Sequence, residues 1–187
     1  MKARKTPDPL KVFMNAERFR IADLVLRGSQ DQRVAVAVAS PALVLSAFAS
    51  ELYLKCLILI QSARLEHGHD LHPLFKKLES QSQRRVEQKW NEWVSSPERK
   101  RIYEALKKIS GESIPTDLDW SLRNGGTGFV DMRYLHEVET GPRFLIGDLP
   151  QILREETLQH RPEWTSLGHG PMTPVPGFEN PMPNNMP

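Results

Sequence analysis

Apolar residues along this chain recur mostly three and four positions apart, which predicts helices, and strand patterns are scarce. Asp8 before Pro9 reads as a helix cap with a first-turn proline, and Leu10, Phe13, Met14, Ile21, Leu24 and Val25 continue an apolar stripe up to Gly28. Residues 33–40, RVAVAVAS, alternate like a strand. Their alanines and the following Pro41 instead favour a short helix, then a second helix that restarts with Pro41 in its first turn; an extended connector is the alternative. The most apolar run, LSAFASELYLKCLILI, follows at residues 45–60, and Glu51 and Lys55 are its only charges. Asp70 is placed to cap a helix that tolerates Pro73 and turns Leu71, Leu74, Phe75 and Leu78 inward. Ser80 with Gln83 suggests a capping box before Val86, Trp90, Trp93 and Val94. Ser95 with Glu98 repeats it before Ile102, Leu106 and Ile109, and Gly111 supplies a left-handed stop. Asn124, Gly125 and Gly126 read as a turn, Thr127 as the cap of a short helix from Phe129 to Glu137, and Asp148 with Pro150 as the start of a last helix reaching about Gln159.

Glu51 and Lys55 need a physical reason. A Glu four residues before a Lys shares its helical face, and in water the pair adds only about 0.3–0.5 kcal/mol. In a core, a charge left unpaired costs several kcal/mol. That face therefore borders a polar cleft or is covered by another charged element.

A chain of 187 residues, 39% hydrophobic and 26% charged, has room for one domain with a single core. A formal net charge of +2 is too mild to argue for nucleic-acid binding by itself. The single Cys56, inside the apolar run, excludes an intrachain disulfide framework and reads as a buried, inert thiol. The basic start MKARKTPDP has no apolar stretch or cleavage site of a signal peptide after it, so a cytoplasmic protein is expected. Residues 42–60 approach the length of a membrane span, but Glu51 and Lys55 near the middle would each cost roughly 2.5–3.5 kcal/mol there, so no membrane is expected. The final 27 residues hold seven prolines and little periodic pattern. They are expected to be disordered or to dock on a neighbour. The expected organisation is a flexible basic N-terminus over 1–8, a helical domain over 9–160 and the proline-rich tail over 161–187. NGGTG lacks the lysine and preceding strand of a phosphate-binding loop.

The order SAFASELYLKCLILI, then GHDLHPLFKKL, then GFVDMRYLHE resembles the HEPN domain family, all-α domains named for nucleotide binding in higher eukaryotes and prokaryotes. The matching positions are Glu51, Lys55, His69, Asp70, Leu71, Arg133, Tyr134 and Glu137, within a resemblance covering about residues 10–160. It implies an all-α up-and-down bundle of five to seven helices, and a homodimer as that family leads one to expect. Arg133 and Glu137 lie one turn apart, and docking their helix on the central one would interleave Glu51, Lys55, Arg133 and Glu137 into an alternating charge network. Such a network either fixes the packing register of the bundle or lines, with Lys55, Arg133 and His69 or His136, a cleft for phosphate or nucleotide.

Several HEPN proteins are metal-independent ribonucleases that use an Arg followed after four to six residues by a His in a late helix. The Arg would hold the phosphate, and the His would activate the 2′-hydroxyl or protonate the leaving oxygen. Arg123 and Asn124 begin the pattern without a His at the right distance, and Arg133 to His136 is too short. The spacing occurs at Arg64 to His69 and at Arg154 to His160, both away from the position the family implies. Arg64, His69 and His136 are thus the catalytic candidates. His67, His69, Asp70 and His72 crowd together beside Glu66, yet zinc sites usually draw ligands from two elements, and a turn with a helix cap explains them more simply; no metal or cofactor is expected. Trp90 and Trp93 share an apolar helical face, while Trp120 and Trp164 are isolated. The expected function is a HEPN-like module binding a nucleotide, RNA or a partner protein such as an antitoxin or nucleotidyltransferase, in a bacterial defence or toxin-antitoxin setting. An endoribonuclease and a purely structural interaction bundle are the alternatives.

Overall fold

The computed structural model describes residues 7–126 and 147–169. Over these residues the chain is an all-α bundle of seven α-helices and one 3-10 helix, with no strand. The α-helices are α1 (Pro9–Arg27), α2 (Gln32–Ser62), α3 (Leu71–Phe75), α4 (Ser80–Val94), α5 (Pro97–Ser110), α6 (Leu118–Gly126) and α7 (Leu149–His160), and the 3-10 helix spans Pro162–His169.

The starts and stops follow local chemistry. Asp8 accepts from Leu10 N at 3.0 Å with Pro9 in the first turn, and Gly28 closes α1. α2 is a single helix of 31 residues, so the expected break before Pro41 does not occur. Asp31 caps it by accepting from Arg33 N at 2.8 Å, and Pro41 sits inside it. A proline removes one backbone donor but leaves φ helical. The surrounding helix formers and the packing of α2 carry the helix through. Asp70 occupies the cap position of α3 without a side-chain cap bond. The expected capping boxes are displaced: Glu79 precedes α4, Gln83 turns back to Leu78 O at 2.7 Å, and Ser96, not Ser95, caps α5 by accepting from Arg99 N at 3.4 Å. Gly111 ends α5 at φ 75°. Asn124, Gly125 and Gly126 are the last residues of α6, not a turn, and Asp117 holds its start by accepting from Trp120 N at 2.7 Å. The helix expected over Phe129 to Glu137 lies outside the described residues.

The core gathers around α2. Tyr53, Leu54, Cys56, Leu57 and Ile58 are buried against Phe13 and Ala16 of α1, Leu74 and Phe75 of α3, Val86 and Trp90 of α4, and Leu149 and Leu153 of α7. Trp90 donates to Thr116 O at 2.8 Å, which satisfies its indole inside the core. α2 is long and apolar enough to cross a membrane, and 56% of its most apolar stretch is buried within the bundle. The tail begins differently from expectation, because Trp164 is buried and its ring lies 5.2 Å from that of Phe13.

The second half of α1 inverts the usual pattern. Glu17, Arg20 and Asp23 are buried, while Leu24 and Val25 are 47% and 70% exposed. Val34 and Val36, at the start of α2, are exposed as well. Ile102, expected on the inner stripe of α5, is also exposed.

Candidate functional site

Three polar clusters can be built from the helices upward. The first contains residues the sequence pointed to. Glu51 and Lys55 lie one turn apart on α2, and Lys55 Nζ donates to Glu51 Oε1 at 2.7 Å. Both side chains are largely covered, at 12% and 13% exposure. His69 arrives from the connector after α2 and places Nδ1 3.1 Å from the same oxygen, with its ring 77% exposed. The pair therefore faces neither a sealed core nor bulk water, and an exposed imidazole rims it. Arg133, Tyr134, His136 and Glu137, the other proposed members of this network, lie outside the described residues.

The connector between α2 and α3, residues 63–70, is the solvent-facing side of this cluster. Ala63 ends α2 in the left-handed conformation at φ 53°. Arg64, His67, His69 and Asp70 are exposed, and among the described residues the Arg64 and His67 side chains have no partner. Glu66 is held by Lys77. The crowded histidines diverge: His69 goes to Glu51, while His72 Nε2 lies 2.8 Å from Asp119 Oδ1 on α6. Arg123 and His72, and then Lys76, hold the Asp119 carboxyl well below the usual carboxylate range. Among the described residues no group of three or more His, Cys, Asp or Glu side chains is placed to hold a metal ion.

The second cluster is a buried knot between α1, α2 and α7. Glu17 accepts from Arg20 Nε and Nη2, each at 3.2 Å, from Arg154 Nε at 2.9 Å, and from the Tyr53 hydroxyl. Burial disfavours its charge, but the bonds from Arg20 and Tyr53 and the two guanidinium charges outweigh that and bring its pKa below the ordinary value. Burial and the Glu17 bond push the Tyr53 hydroxyl strongly upward, so it remains a neutral donor. Asp23 is fully buried and pairs with Arg27, and burial raises its pKa despite that partner. Asp148, at the head of α7, accepts from Trp93 Nε1 at 2.6 Å, Arg99 Nη2 at 3.2 Å and Arg27 Nη1 at 3.4 Å. Gly147, at φ +51°, lets the chain pass over Trp93, because an added Cβ would lie 2.1 Å from that ring.

The third cluster joins α4 to the end of α7. Arg85 binds Glu156 through both carboxylate oxygens, at 2.9 and 2.6 Å. His160 Nε2 lies 3.1 Å from Glu156 Oε1, 3.0 Å from Ser82 Oγ and 3.3 Å from Gln61 Nε2. Burial works against the charge on Glu156, but Arg85 and Ser82 lower its pKa overall. All these contacts use one imidazole nitrogen, so Ser82, His160 and Glu156 are not a nucleophile, base and orienting acid in series.

Arg154 and His160, which have ribonuclease-like spacing, thus serve separate clusters. Arg154 is bound to Glu17 and His160 to Glu156. Sequence reasoning missed both buried clusters. A signal existed in Glu17, Arg20, Asp23 and Arg27, whose three- and four-residue spacing puts them on one face of α1. Compared with known proteins, the chain matches no family model, no curated protein and no solved structure.

Proposed function

We propose that this protein is a HEPN-like helical binding module whose ligand, a nucleotide or RNA, engages the connector after α2. The observation that carries the reading is the meeting of Glu51, Lys55 and His69 at a connector that also carries Arg64 and His67, two exposed side chains without partners among the described residues. A guanidinium free of carboxylates, as Arg64 is among the described residues, is what a phosphate-bearing ligand requires, whereas Arg154, Arg85 and Arg20 are already taken by Glu17 and Glu156. The same accounting favours binding over hydrolysis at Arg154 and His160, since the arginine that would hold a phosphate is neutralised. The resemblance supplies the rest of the proposal: a cytoplasmic homodimer acting with an antitoxin or nucleotidyltransferase in a defence or toxin-antitoxin setting. Exposed Leu24, Val25, Val34 and Val36, at one end of the α1–α2 hairpin, give such an assembly an apolar contact.

The test measures thermal stability and fluorescence anisotropy with nucleoside triphosphates and short RNAs, alongside an RNA cleavage assay. Binding without cleavage, weakened at least tenfold in an Arg64→Ala, His69→Ala double variant that melts like the parent, is the expected result. Cleavage abolished by Arg64→Ala, Arg154→Ala or His160→Ala would replace the proposal with the endoribonuclease reading. Absence of both binding and cleavage would leave the structural interaction bundle.

A further inference from the structure

From α1 to the middle of α2, every carboxylate before Glu51 is already engaged. Glu17 and Asp23 are enclosed, and Asp8 and Asp31 cap the two helices. Lys11, Arg18 and Arg33 are exposed, and among the described residues their side chains have no partner. Lys11, Asn15, Arg18, Ala22 and Val25 follow one another at steps of four and three, so they share one face of α1, turned away from the buried knot. Arg33, Ala37 and Ser40 share a face of α2 in the same way. The inversion that turns the acids of α1 inward thus leaves its outer face with cations alone.

These cations border apolar surface. Val25 and Val36 are 70% and 72% exposed, Leu24 and Val34 are exposed near them in sequence, and Ala37, Ala39 and Pro41 are exposed along the start of α2. Elsewhere among the described residues the exposed large apolar side chains are Leu65, Ile102 and Leu167, each on a different element. From Val34 to Ser50 the chain carries no charge at all. An apolar cluster with a polar border marks a contact surface, whereas single exposed residues do not.

The border selects the occupant. A second copy would offer Arg18 and Arg33 more cations and no free carboxylate, because an isologous contact presents the same face twice. A lipid surface would have to take up the turn from Ser29 to Gln32 with the Asp31 carboxylate, and the exposed residues of this face include no aromatic anchor for the headgroup region. A nucleic acid could use the arginines but has nothing to set on Val25 and Val36. A helix with apolar residues three and four apart, bordered by Asp and Glu, answers both the valines and the arginines.

We infer that the outer face of α1 and α2 near their turn is the docking site for an acid-bordered amphipathic helix of a partner protein, seated on Val25 and Val36 with its carboxylates at Arg18 and Arg33. This goes beyond the function proposed above, whose nucleotide or RNA engages the opposite end of α2, and it rests on that reading only for the existence of a partner protein, to which it gives a chemistry.

The experiment uses the full chain and two synthetic amphipathic peptides of about eighteen residues, with leucines three and four apart, one bordered by glutamates and its twin by lysines. The glutamate peptide should bind at least tenfold tighter than its twin by fluorescence anisotropy. Val25→Asp with Val36→Asp, two positions exposed enough to leave the fold intact, should abolish that binding, and Arg18→Glu with Arg33→Glu should reverse the preference between the peptides. Equal binding of the two peptides, binding of neither, or binding untouched by the valine variant overturns the proposal. So does a parent dimer in sedimentation that Val25→Asp with Val36→Asp takes apart, which would give the face to a second copy, or flotation of the parent with phosphatidylserine vesicles that the same variant abolishes. Nucleotide anisotropy is read in parallel and should be equal in the parent and the valine variant, so that failure at the connector and failure at this face are seen separately.

Discussion

Glu17 on α1 and Glu51 on α2 make nearly the same local arrangement, yet they stand in opposite environments. Each binds a cation on its own helix, Arg20 three residues on or Lys55 four residues on, and each also receives a group from elsewhere, Arg154 and Tyr53 or His69. Glu17 is enclosed by three helices, while the rim of the Glu51 cluster is an exposed imidazole on a connector. The strength of such a cluster is set by what remains buried when one member is removed. Around Glu17 two guanidinium groups would be stranded. Around Glu51 a single ammonium group would lose its carboxylate, beside a histidine ring that is 77% exposed. The enclosed knot therefore holds the helices together, and the open cluster is the one where a ligand is proposed.

The largest expected effect breaks the enclosed knot. Glu17→Ala leaves Arg20 and Arg154 buried without their carboxylate and should destabilise by about 3–5 kcal/mol, measured by urea denaturation. A loss below about 1 kcal/mol would erase the contrast between the two regions. Next is Glu156→Gln, which removes the bidentate partner of the partly exposed Arg85 and should cost about 2 kcal/mol in the same assay.

Acid titration separates the carboxylates by sign. Glu17 and Glu156 have lowered folded-state pKa values, so their stabilisation is present above the ordinary Glu value of 4.5 and is lost as pH falls through the folded values. Asp23 is raised, so its contribution is fully present below the ordinary Asp value of 3.8 and is lost as pH rises through its folded value. Urea midpoints taken between about pH 3 and 6 should fall on acidification. Glu17→Gln should flatten that fall, and Asp23→Asn should steepen it.

The smallest effect belongs to the open cluster. Glu51→Gln should cost about 0.5–1 kcal/mol, since the position is 12% exposed where Glu17 is 2% exposed, and the amide oxygen can still accept from Lys55. A loss as large as that of Glu17→Ala would show that the Glu51 cluster is a second structural lock and would remove the physical ground for a ligand site there.

Much of the architecture was legible beforehand because its causes are local. Asp8 with Pro9, Gly111, and Asp148 with Pro150 mark helix ends, and the inward stripes of α3 and α4 follow from spacing alone. The break expected at Pro41 was not found, since one missing donor weighs less than the packing of a 31-residue helix. The capping residues shifted by one at Ser96 because neighbouring serines offer equivalent hydroxyls, and tertiary contacts choose between them. Of the candidate site, Glu51, Lys55 and His69 were identifiable and do meet, whereas of the Glu17 and Glu156 clusters only the charged face of α1 left a signal in the spacing, and the cross-helix pairs left none. Their partners lie 137 and 71 residues away along the chain, and no sequence spacing encodes such a pairing.

By itself the sequence determined an all-helical chain, most of its helix boundaries, and an acid and base embedded in its most apolar helix, because capping, proline geometry and periodicity act within a few residues. Only the tertiary structure decided which charges are enclosed. It turned the second half of α1 so that Glu17, Arg20 and Asp23 face inward and Leu24 and Val25 face outward, against the hydrophobic pattern. The physical reason is that a buried carboxylate is tolerated only where cations from distant helices converge on it, and that convergence exists only once α7 has packed against α1.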